Sequence, residues 1–181
     1  MLFDTAVHEA AHAVLAQILG LGVRQVKVWR DGVVCRGRVD LDLGPEWPEA
    51  EPPPDGGMAM SPQANPDAEA CDPRVAAFQR LLPGKMAMDY LTMSVAGRMA
   101  QARIRPEAEA CAGADIATEQ WVIDFALSER QRRLGARETA TAIANLLLDR
   151  YWDEVVRVAL ELRVRRRLDG AQIQTIIGTT P

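Results

Sequence analysis

An α+β fold, mainly helical, is the class this sequence predicts, and three observations carry it. Apolar residues recur at helical spacing from Thr5 to Leu19. The stretch 23–43 alternates apolar and polar residues around an Asp31-Gly32 pair, the pattern of one small β-hairpin. Beyond Lys85 the chain returns to helical spacing and keeps it almost to the end. At 181 residues, 48% hydrophobic and 25% charged, the chain suits a single domain, 1–181, with a core of ordinary size.

The elements follow in order. Asp4 stands as N-cap of a first helix over 5–19, and Gly20 occupies the C′ position that favours glycine. Alanines at 6, 10, 11, 13 and 16 favour helix and permit close packing, while Val7, Val14, Leu15, Ile18 and Leu19 make that helix largely buried. Strands over 23–29 and 33–43 form the hairpin, which either offers an edge to an extended peptide or covers the core. Residues 44–74, rich in Pro, Gly and acidic side chains, read as a flexible loop, an inert insertion in preference to a gate. A short amphipathic piece over 75–82 precedes a long helix over 85–104, whose methionines are core filling. After a connector, helices are expected over 114–128, over 136–151 with an open continuation through Arg166, and over 170–177; together they form a C-terminal helical bundle.

Composition excludes several functions. The net charge of −4 argues against a nucleic-acid partner, and the run Arg163, Arg165, Arg166, Arg167 reads as a solvated helix face. Cys35, Cys71 and Cys111 form no C-x-x-C pair, so free thiols in a reducing cytosol are expected. No stretch reaches the roughly 20 apolar residues of a membrane span, and the N-terminal residues lack the basic region of a signal peptide. A cytoplasmic protein with no membrane partner is the expectation.

Both histidines of the chain lie in His8-Glu9-Ala10-Ala11-His12, an H-E-x-x-H pattern on the first helix. Positions i and i+4 share a helix face, so the two imidazoles can close on one metal ion. Glu9 is then placed to take a proton from an attacking water. Inside an apolar helix, two histidines and a glutamate would be poorly solvated unless something paired them. Zn²⁺ is the expected cofactor.

A catalytic zinc has three protein ligands as a rule. No third histidine exists, and Ile18 occupies the place it takes in the extended H-E-x-x-H-x-x-G-x-x-H pattern. A carboxylate or cysteine must serve. Asp115, opening a helix in Gly113-Ala114-Asp115-Ile116-Ala117-Thr118, is the best candidate, although satisfying free helix amides is a competing role for it. Glu119, one turn on, comes next, and Cys111 is a weaker third.

Taken together, Thr5–Val14, the strand that follows, Val95-Ala96-Gly97-Arg98-Met99-Ala100 and Gly113–Thr118 resemble the peptidase domain of the FtsH-type AAA proteases. The closing helices over 146–177 are similar as well. The resemblance implies a zincin-like helix carrying the motif, a small β element beside the cleft, His8, His12 and Asp115 as zinc ligands, and Glu9 as general base. Two departures stand out: Ala11 replaces the usual glycine of the motif, and Ala100-Gln101-Ala102 replaces an acidic pair. No Walker-type G-x-x-x-x-G-K-[ST] loop is present, so this sequence by itself does not couple ATP hydrolysis to unfolding. The expected function is a stand-alone zinc metalloendopeptidase acting on flexible or unfolded polypeptides, its oligomeric state open. The alternative is an inactive binding or regulatory module with a structural zinc.

Overall fold

The computed structural model describes residues 2–42, 84–106, 113–125, 127 and 135–178. The proline-rich loop, the piece over 75–82, Cys71, Cys111 and most of the 105–113 connector lie outside the described residues. The fold is α+β and mainly helical, with one small antiparallel sheet. In chain order the elements are α1 (Leu2–Leu19), β1 (Val23–Asp31), β2 (Val34–Leu41), α2 (Gly84–Ile104), α3 (Gly113–Phe125), α4 (Ala136–Arg150), α5 (Trp152–Arg165), β3 (Arg167–Asp169) and α6 (Gly170–Gly178).

Helix α1 is central. Ala6, Val7, Ala10, Ala11, Ala13, Val14, Leu15 and Ala16 have no exposed surface, which takes in nearly every side of the helix. Its small side chains let α2 and α5 approach closely, and the sheet covers another side through Val23, Val26 and Val28. Each buried Val or Leu contributes about 1.5–3 kcal/mol of transfer free energy. The helix begins at Leu2, so Asp4 is not its N-cap. Asp4 sits in the first turn, where a negative charge suits the helix dipole, and its Oδ2 pairs with Arg105 at 3.2 Å.

The sheet order is β2-β1-β3. Asp31 pairs with Val34, so the two-residue loop is Gly32-Val33, one position later than Asp31-Gly32 suggests. Gly32 has φ +60°, which fits a turn with glycine at its first central position. A register shift between Val23 and Gln25 sets the alternation so that Val26 and Val28 face α1.

Helices α4 and α5 are separate, which closes the open continuation through Arg166. Tyr151 leaves helical geometry (φ −113°, ψ 23°) while its N–H donates to Leu147 O at 2.8 Å and its carbonyl accepts from Val155 N–H at 3.0 Å. Arg150 in the last turn of α4 and Asp153 and Glu154 in the first turn of α5 suit the two dipoles meeting there. The arginine run is likewise not one helix face. Arg166 takes a left-handed conformation that ends α5, its carbonyl accepts from Val28 N–H at 2.9 Å, and Arg167 opens β3. Strand β3, which alternation over so few residues does not reveal, buries Leu168 against β1. Asp169 and Gln172 then exchange side-chain and backbone hydrogen bonds at 2.9 Å, a capping box that starts α6.

A second, smaller apolar cluster joins α2, α3 and α4 through Ala87, Leu91, Val122, Leu127, Ala136 and Ala140. It packs α3 against α2 and α4. Among the described residues, no helix is long and apolar enough to cross a membrane.

Candidate metal centre

Three elements meet at the site. Helix α1 brings His8, Glu9 and His12, and α3 brings Asp115 from its first turn. Helix α2 lies behind them, presenting Tyr90, Met93, Gly97 and Gln101 at spacings that share one face. The structure thus brings together His8, His12 and Asp115, residues more than a hundred positions apart in part of the set. Among the described residues they are the one group of acidic, histidine or cysteine side chains able to share a metal ion.

The geometry fits zinc. His8 Nε2 and His12 Nε2 are 3.1 Å apart. Asp115 Oδ2 is 3.0 Å from His8 Nε2, and Oδ1 is 3.6 Å from His12 Nε2. Donor atoms at about 2.0–2.1 Å from a tetrahedral zinc stand about 3.3 Å from each other, so the three separations bracket the expected edge.

The second ring nitrogens are tied down as well. His12 Nδ1 donates to the Met93 carbonyl at 2.7 Å, which places the ring proton on Nδ1 and leaves Nε2 its lone pair. His8 Nδ1 faces Gln101 Oε1 at 3.2 Å and is oriented in the same way. Two lone pairs pointed at each other across 3.1 Å repel unless a cation or a proton lies between them. Asp115 Oδ2 is buried and makes no hydrogen bond of good geometry, an acceptor aimed at the same point.

Two glycines make the room. A Cβ at Gly97 would lie 2.3 Å from His12 Nε2 and 2.7 Å from His8 Nε2, so a side chain there would crowd both imidazole nitrogens. A Cβ at Gly37 of β2 would lie 2.2 Å from Glu9 Cγ and 2.5 Å from its carboxylate carbon. Glu9 therefore occupies the space of a missing side chain on the strand and is 8% exposed.

Burial pushes the Glu9 carboxyl up; the neighbouring histidines offset part of this and Asp115 adds to it. Burial alone would lower the His12 pKa, but the Asp115 carboxylate, then Glu9 and the Met93 carbonyl, outweigh it and push it up to about 9. Asp115 is held well below the usual carboxylate range, because His12 and then His8 overcome the effect of its own burial. Burial, with Asp115 adding to it, pushes the Tyr90 hydroxyl up to about 12, so it stays protonated.

These shifts give a pH prediction for protein stripped by a chelator. The His12 pKa is raised from 6.5, so its proton stabilises the fold fully below about pH 6.5, and that contribution is lost as pH rises through about 9. Thermal unfolding in chelator is expected to show a falling midpoint across this window. Zinc competes with the same proton, so saturating zinc should flatten the fall. A midpoint independent of pH between 6.5 and 9 in chelator would contradict the His12–Asp115 coupling.

The site residues read from sequence are therefore placed as follows. His8, Glu9, His12 and Asp115 converge, and Asp115 turns its carboxylate to the histidines. Glu119 does not join them: it is 1% exposed and paired with Arg98 and Arg137. The Met93 carbonyl, Gln101, Gly97 and Gly37 escaped the sequence reading as site residues. An isolated glycine within a helix or strand signals a close approach, which was the one available hint for Gly97 and Gly37. A scan against protein-family models and a search of curated proteins return no match for this chain.

Proposed function

We propose that this chain is a zinc-dependent endopeptidase that hydrolyses peptide bonds in flexible or unfolded polypeptides. One observation carries the reading: two imidazole nitrogens and a carboxylate converge at tetrahedral spacing beside a buried glutamate that is not part of the donor set. A purely structural zinc has no use for that acid. It is also the chemistry implied by the resemblance to the FtsH-type peptidase domain.

His8, His12 and Asp115 would hold the ion, which when bound supplies a Lewis acid that polarises the scissile carbonyl and acidifies water. Met93 O and Gln101 orient the imidazoles. Glu9 accepts the proton of the attacking water and returns it to the leaving amine. Its raised pKa makes it a stronger base than an exposed carboxylate, and activity should fall on the acid side as Glu9 becomes protonated. Strand β2 is an edge in the sheet order, and its Gly37 abuts Glu9. An extended peptide adding to that edge would run past the base.

The test is hydrolysis of an unstructured casein or a quenched peptide by purified protein. Activity should be lost in chelator and restored by zinc. Zinc-loaded protein that cleaves neither substrate would instead favour a binding module with a structural zinc.

A further inference from the structure

Among the described residues, the Glu119 carboxylate is the most deeply buried acid outside the donor set, and its partners come from two other helices. Arg98 of α2 donates to it twice, Nε to Oε1 at 2.9 Å and Nη2 to Oε2 at 3.4 Å. Arg137 of α4 stands 3.5 Å from Oε2 and donates through Nη2 to Gln120 Oε1 at 3.1 Å. A buried carboxylate needs such partners, and the two-pronged guanidinium contact fixes direction as well as distance.

The placement of this pair is what matters. Glu119 lies one turn after Asp115 on the same face of α3. Arg98 directly follows Gly97, the residue whose missing side chain opens the space between His8 and His12. The Arg98–Glu119 contact therefore sets the register of α3 against α2 one turn from the donor carboxylate. The apolar hold on α3 is modest: Val122 is fully buried, while Trp121 and Ile123 are partly so. A buried ion pair contributes little net stability against an apolar replacement, and fixing register is its best-attested use.

We propose that Arg98 and Glu119 are positioning residues that hold Asp115 in the zinc donor set, so that zinc affinity depends on them through Asp115. This rests on the reading of Asp115 as a ligand. The experiment is zinc affinity, by competition with a chromophoric chelator, for wild type, Glu119→Gln, Asp115→Ala and the double variant. Circular dichroism of each establishes folding.

Glu119→Gln is expected to lower affinity about 10–100-fold in the wild-type background, the usual effect of losing a supporting contact. In the Asp115→Ala background the same change should alter affinity less than about 3-fold, because the route is already cut. Arg98→Lys, which keeps the charge and loses the fork, should behave the same way and serves if Glu119→Gln does not fold. Equal losses in both backgrounds, or none in either, would overturn the proposal. If Asp115→Ala alone leaves zinc affinity unchanged, the ligand assignment itself has failed. If Asp115→Ala weakens zinc and Glu119→Gln does not, only the positioning role has failed.

Discussion

Glu9→Gln is expected to lower hydrolysis of an unstructured peptide by about 10²–10⁴-fold while zinc stays bound, the range attributed to a positioned general base. Glutamine matches glutamate in shape, so the packing of Glu9 against Gly37 survives the change. The proposed donor set is His8, His12 and Asp115, so zinc bound there should not respond to the loss of a neighbouring charge beyond a modest electrostatic effect. Gly37→Ala should reach a similar end by another route. Its new Cβ overlaps the Glu9 side chain and must push the carboxylate out of place. Rate and zinc content measured on the same samples decide the matter. A zinc-loaded Glu9→Gln protein within a few-fold of wild type would remove Glu9 from the mechanism.

Gly97→Ala should weaken zinc binding strongly by displacing the imidazoles, while the helical fold persists. The added methyl would lie 2.3 Å from His12 Nε2 and 2.7 Å from His8 Nε2, so both imidazole nitrogens must shift away from Asp115 or from each other. Alanine is the better helix former by about 0.8–1.0 kcal/mol, so α2 itself gains if anything. The expected signature is a loss of zinc affinity of about 100-fold or more, with helical circular dichroism retained in chelator. This pairing of effects separates displaced imidazoles from unfolding, because a damaged fold would lose both. Unchanged zinc affinity in Gly97→Ala would mean that the ion binds elsewhere.

What could be read from the sequence was local. The i, i+4 spacing of His8 and His12 needs only a helix, and alanine content with apolar spacing shows that helix plainly. The hairpin and the long α2 follow from patterns of similar strength, and each boundary falls within a few residues. Asp115 could be proposed from residue type and context, but its approach to His8 spans 107 positions (115 − 8) and no local pattern contains it. The same holds for the Met93 carbonyl behind His12: a backbone group carries no residue signature. Gln101 was visible as a departure from an acidic pair, and its contact with His8 gives that position a role in orienting the imidazole. Strand β3 was missed because three residues cannot display alternation, and it forms only because Arg166 turns the chain back onto β1. The break at Tyr151 carries no Pro or Gly to announce it.

The central claim is that His8, His12 and Asp115 together hold zinc, and metal analysis of wild type against Asp115→Ala tests it most directly. Wild type should carry about one zinc per chain. Asp115→Ala should bind it at least about 100-fold more weakly, with its fold intact by circular dichroism. Wild-type protein that takes up no zinc, or Asp115→Ala protein with wild-type affinity, would contradict the account.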